Sequence, residues 1–128
     1  MLAWWMYHNP KQNVVPAEIN LEVEHIYSRK RQENSREISH KELECLGNKA
    51  LLEKTINIRA ADYKFEDKIK YYKGYATSSG RKKDGTIDAE LLHIANTHKD
   101  FTKDDIDKRN DLIIDSFVSA LEKAGLAL

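Results

Sequence analysis

The sequence predicts an α+β fold: a small β-hairpin running into a helix, surrounded by several further α-helices. Three observations carry this. INLEVEHIY (19–27) alternates apolar and polar residues at the period of two that belongs to a strand. The turn pair Gly47-Asn48 is followed by Lys49-Ala50-Leu51-Leu52, which fits a second short strand. From about Ile58 the period lengthens to that of a helix, with Phe65, Ile69, Tyr72 and Ala76 on one stripe.

The elements follow in order. Trp4, Trp5, Met6 and Tyr7 form a dense apolar cluster, the end of a helix or a short strand that packs on the core. Asn9-Pro10 and Pro16 punctuate a loop. In the first strand Ile19, Leu21, Val23 and His25 share one face, opposite Asn20, Glu22, Glu24 and Ile26. Residues 28–37 (SRKRQENSRE) are polar and read as a loop. Ser39 with Glu42 has the spacing of a capping box, which predicts a short helical turn to Leu46. Asn57 reads as an N-cap near the start of the next helix. Residues 74–85 (GYATSSGRKKDG) are a loop by composition. Residues 88–97 form a helix with Leu91, Leu92 and Ala95 inward. Thr102, with Asp105 three residues on, caps a last helix that carries Ile106, Ile113, Phe117, Leu121 and Ala124 on one side and stops at Gly125.

A chain of 128 residues fits one domain, 1–128, with its core at about 19–76 and its C-terminal helices at about 88–125. No run approaches the roughly 18 apolar residues of a membrane span. The single Cys45 excludes an internal disulfide and a zinc knuckle, so a reducing, cytoplasmic setting is expected. Formal net charge is zero, but its distribution is uneven: residues 64–83 hold seven basic and two acidic side chains, and residues 84–128 hold five and ten. A basic middle before an acidic end predicts a polarised surface.

Glu24, His25, Asn48 and Asn57 stand at the joints of the strand–loop–strand–helix frame. Their types suit phosphodiester hydrolysis. An imidazole takes a proton from water near neutral pH, and general-base help is worth roughly 10²–10⁴-fold. One carboxylate and one amide oxygen suffice for Mg²⁺, which keeps several waters. His25 is thus the candidate base, Glu24 and Asn57 the candidate ligands of one divalent metal (Mg²⁺, with Mn²⁺ or others open), and Asn48 a catalytic partner that orients the loop or the ring.

The ordered series E-H-I-Y (24–27), L-G-N-K-A-L-L (46–52), Asn57, F-x-x-K-x-x-x-Y (65–72) and F-T-x-x-x-I-x-x-R-x-x-L (101–112) resembles the HNH (ββα-metal) endonuclease superfamily. Within it the chain is most similar to the C-terminal nuclease domain of GmrSD-like, modification-dependent restriction proteins. The resemblance spans roughly residues 21–112. It implies a ββα-metal core, DNA as partner and a role in restriction or phage defence. It implies His25 as general base, Glu24 and Asn57 at the metal and Asn48 bracing the loop. Lys68 and Arg109 match basic positions that touch phosphate or brace the fold. Ser28 stands where the family has Pro, which is expected to loosen the loop after the base, and Lys49 replaces an apolar residue. Relatives carry an upstream domain, so such a domain or a partner subunit is expected beside this chain.

Plainer readings compete at each position. Glu24 would serve as an edge-strand charge and Asn48 as a turn residue. Arg59 and Arg29-Lys30-Arg31 are candidate backbone contacts, or solvated surface. Tyr71 and Tyr75, interleaved with Lys70 and Lys73, offer stacking surfaces, while Tyr72 is core. At the level of the whole chain, the alternatives to a nuclease are an inert nucleic-acid-binding module and an assembly domain docking through Trp4-Trp5.

Overall fold

The computed structural model describes residues 1–60 and 64–126, except for the side chains of residues 58–60. It is α+β, as expected, with seven α-helices and two small antiparallel hairpins among the described residues. Helix α1 (Leu2–His8) precedes strand β1 (Leu21–His25), helices α2 (Arg29–Ser35) and α3 (His40–Glu44) and a 3₁₀ turn (Leu46–Asn48). Strand β2 (Lys49–Glu53) leads into helix α4 (Lys54–Ala60) and helix α5 (Phe65–Lys73). Strands β3 (Gly74–Ala76) and β4 (Lys82–Asp84) precede helices α6 (Ala89–Thr97) and α7 (Lys103–Lys123).

The first hairpin pairs β1 with β2 in antiparallel register, from Leu21 opposite Glu53 to His25 opposite Lys49. The apolar positions of the alternation are not the buried ones. Ile19 and Val23 are 38% and 46% exposed, whereas Glu24 is buried and Ile26 fully so. The reason is chemical: α5 places a lysine and a tyrosine against Glu24, so the charge is paired rather than stranded.

Residues 28–37 are not a loop. Ser28 caps α2, its hydroxyl accepting the Arg31 N–H at 3.1 Å, and the helix ends at Arg36 in the left-handed region (φ 54°). The departure from Pro therefore anchors this segment instead of loosening it, since a serine cap satisfies one of the free N–H groups of the first turn. The α3 capping box forms as expected, with Ser39 and Glu42 bonding each other's backbone N–H. Asn57 is not an N-cap; it lies inside α4, which begins at Lys54. Residues 74–85 contain the second hairpin, with Gly74 (φ 87°) turning the chain out of α5.

The core gathers Ile26, Tyr27, Leu52, Phe65, Tyr72, Leu91, Phe101 and Ile106. In α6 the inward residues are Leu91, Ile94 and Ala95, so Ile94 takes the place expected of Leu92. Helix α7 is fully seated only through its first three turns, at Ile106, Arg109 and Ile113. Phe117 is half-buried and meets Trp4 edge-on at 5.2 Å between ring centres, which docks α1. No helix among the described residues is long and apolar enough to cross a membrane.

Candidate active site

A cleft of about 460 Å³ opens beside the end of β1, lined by Val23, Glu24, His25, Arg29, Glu44, Lys49 and Asn57. Three of the four residues singled out from the sequence thus face one space. They come from two joints: Glu24 and His25 from the last two positions of β1, Asn57 from the first full turn of α4.

Glu24 is held from behind. Its Oε2 accepts the Lys68 ammonium at 3.0 Å and the Tyr72 hydroxyl at 2.6 Å. Lys68 also donates to the His25 carbonyl at 2.7 Å, fixing the strand end that carries both residues. Burial first, and then the charge on Glu24, pushes the Tyr72 phenol well above its ordinary value, so it stays a donor. The spacing F-x-x-K-x-x-x-Y puts Phe65 in the core and Lys68 and Tyr72, one helical turn apart, on the same carboxylate.

Asn57 donates its amide N–H to Glu22 Oε1 at 3.1 Å, which leaves its Oδ1 as the end of the amide that suits a hard cation. Glu22 was not singled out in the sequence. It belongs to the same strand face as Glu24, and the alternation alone places it there. Among the described residues no three of His, Cys, Asp and Glu gather as a metal-binding cluster. Of the donors in the cleft, Glu44 is taken up by Lys49 and His25; the Glu24 carboxylate and the Asn57 amide together suit a cation that keeps most of its waters and do not suit a structural zinc.

His25 meets Glu44, a residue that no sequence motif marks. Its Nε2 lies 3.2 and 3.3 Å from the two carboxylate oxygens. Glu44 also takes the Lys49 ammonium at 3.1 Å and stands 3.7 Å from Arg29. Lys49, with help from His25, lowers the Glu44 carboxyl to about 2. Glu44 lies 19 residues from His25 at the end of α3, and nothing in a short polar helix distinguishes it from a solvated acid.

Asn48 does not line the cleft. It is fully buried, and its amide stitches the segment after β1 to the 3₁₀ turn: Oδ1 accepts the Tyr27 N–H at 2.7 Å, and Nδ2 donates to the carbonyls of Tyr27 and Leu43, each at 3.0 Å. Its place is that of a brace, not of a group at the reacting atoms.

The basic residues expected at nucleic acid are placed differently. Lys68 is fully buried on Glu24. Arg109 is buried too: it forks onto Glu90 at 2.9 and 3.0 Å and donates to the carbonyls of Leu46, Gly47 and Lys49. Neither is offered to a phosphate, because each neutralises an internal carboxylate. The Arg59 side chain lies outside the described residues. Arg31 is occupied by Asp100 at 2.7 and 2.9 Å and covers the Tyr27 ring at 4.1 Å, whereas Arg29 reaches the cleft. Lys70, Lys73, Arg81 and Lys82 are exposed around the second hairpin, with Lys70 4.5 Å over the Tyr75 ring.

The motif blocks therefore converge physically: E-H on the cleft, L-G-N under Arg109, F-x-x-K-x-x-x-Y under Glu24. No curated protein and no solved structure matches the chain. The family model for the C-terminal domain of GmrSD restriction endonucleases matches residues 4–116, and the chain belongs to that family.

Proposed function

We propose that this domain is a metal-dependent endonuclease of the HNH type that hydrolyses DNA phosphodiester bonds, as the nuclease part of a modification-dependent restriction system. The observation that supports it most is the shared cleft of His25, Glu24 and Asn57.

In this reading His25 takes a proton from a water that enters the cleft and attacks phosphorus. Glu24 and Asn57 would hold a single divalent cation of the Mg²⁺ kind. When bound, such an ion neutralises charge on the non-bridging and leaving oxygens. Lys68 and Tyr72 keep the Glu24 side chain in one position with its charge compensated. Asn48 and Arg109 hold the 3₁₀ turn, and with it the start of β2 opposite His25. Arg29, two-thirds exposed at the cleft, and the exposed lysines near the second hairpin supply positive charge for the flanking strand.

The test is supercoiled-plasmid nicking by the purified chain. Nicking should require Mg²⁺, stop with EDTA and return with excess Mg²⁺. DNA binding without metal-dependent nicking would instead favour an inert binding module.

A further inference from the structure

The pair formed by His25 and Glu44 says which atom of the ring acts. A carboxylate that is ionised can only accept a hydrogen bond. Glu44 is ionised, since Lys49 and Arg29 flank it and the carboxyl is held at about 2. Both of its oxygens face Nε2, so Nε2 is the nitrogen that carries the proton. In a neutral imidazole the other nitrogen then has the lone pair.

We infer that Glu44 is a positioning residue that fixes His25 as the Nε2–H tautomer, so that Nδ1 is the atom that takes the proton from water. The arrangement is built rather than incidental. Glu44 ends α3, whose start is locked by the Ser39–Glu42 capping box, and it is gripped by Lys49 directly across the hairpin from His25. The His25 side chain is 15% exposed, so its orientation is set mostly by protein contacts. Lys49 thereby acquires a role: the departure from an apolar residue supplies the cation that holds Glu44. The proton balance is simple. One proton leaves water for Nδ1, the hydroxide oxygen bonds to phosphorus as the bond from phosphorus to the leaving 3′ oxygen breaks, and that oxygen takes a proton from solvent. The ring carries one positive charge opposite the Glu44 carboxylate until it releases its own proton to solvent.

The catalytic half of this inference rests on the endonuclease reading; the tautomer half does not. The test pairs two measurements on the full chain. Long-range ¹H–¹⁵N spectra, with His25 assigned by its loss in His25→Gln, are recorded at about pH 8, where imidazoles are mostly neutral. Wild type should show the Nε2–H pattern, Glu44→Gln and Glu44→Ala a mixture of tautomers, and Glu44→Asp a pattern closer to wild type. Plasmid nicking should fall by about 10–100-fold in Glu44→Gln at unchanged DNA affinity, with partial recovery in Glu44→Asp. A wild-type ring protonated on Nδ1, or a Glu44→Gln ring identical to wild type, overturns the inference. So does wild-type nicking by folded Glu44→Gln and Glu44→Ala. If the tautomer result holds while no form of the chain nicks DNA, the positioning of His25 stands and the endonuclease reading is what fails.

Discussion

Lys68 and Glu24 form an ion pair that is all but sealed from solvent: the ammonium is fully buried, the carboxylate side chain is 3% exposed, and they meet at 3.0 Å. Breaking such a pair leaves a buried charge alone, which costs about 3–5 kcal/mol. Lys68→Met should lower stability by that amount in urea unfolding. The folded fraction should keep the wild-type salt dependence of DNA binding, because the lysine does not reach phosphate. Tyr72→Phe, which removes only the hydroxyl on Glu24, should cost about 1–3 kcal/mol.

Gly47 is required by contact rather than by backbone angle. A Cβ there would lie 2.2 Å from the Ile106 carbonyl and 2.7 Å from Asn110, both on α7. Gly47→Ala should push the turn off α7 and destabilise the protein by about 1–3 kcal/mol. Nicking should fall too, because the turn carries Asn48. Chemical unfolding and nicking rates of the same preparation check both.

Asn48 uses all three of its amide bonds on backbone groups of the loop it braces. Asn48→Ala leaves those groups unpaired inside the protein, at about 1–3 kcal/mol for each one left unsatisfied. The expected signature is a folding defect accompanied by lost nicking, unlike a change at His25, which should spare stability. Thermal melts of Asn48→Ala and His25→Ala side by side separate the two roles.

The pH dependence of stability has two components of opposite sign. Glu42, through the Ser39 backbone N–H and then Lys103, and Glu44, through Lys49 and then His25, are both lowered from 4.5 to about 2. Each contributes stability that is present above about pH 4.5 and is lost as pH falls to about 2. Burial raises Asp88 from 3.8 to about 6, so the folded state binds its proton more tightly and stability falls as pH rises from 3.8 to 6. Asp88 caps α6 by accepting the N–H groups of Glu90 and Leu91, a task asparagine also performs. Asp88→Asn should therefore remove the decline between pH 4 and 6 and leave the protein more stable than wild type at pH 7. Urea midpoints across this range are the measurement.

The second hairpin exposes Arg81 and Lys82 away from any ion pair among the described residues. Arg81→Glu with Lys82→Glu should weaken DNA binding and flatten its salt dependence by about two counterions, with no loss of thermal stability. Fluorescence anisotropy at several salt concentrations reads both the affinity and the slope.

The α+β class and the order of the main elements were legible because strand alternation, capping pairs and helical stripes are local signals. The cleft residues Glu24, His25 and Asn57 were legible as spacing. What failed was local chemistry with two meanings. A basic residue in a motif looks the same whether it meets phosphate or a buried acid, so the motif leaves Lys68 and Arg109 between touching phosphate and bracing the fold, and the structure gives both the bracing role. Helix α2 is polar nearly all round and has no buried residue, so it carries no stripe to read. Strands β3 and β4 are three residues each in a Gly- and Lys-rich stretch, too short to show alternation. Glu44 was invisible because its meaning comes only from the fold that brings α3 to the end of β1.

Whether His25 delivers the proton transfer in a DNA-cutting cleft is read from the Mg²⁺-dependent nicking rate of His25→Ala beside that of wild type. His25→Ala should nick about 10²–10⁴-fold more slowly with the fold and DNA affinity retained. An equal rate in the two proteins would rule His25 out as the base.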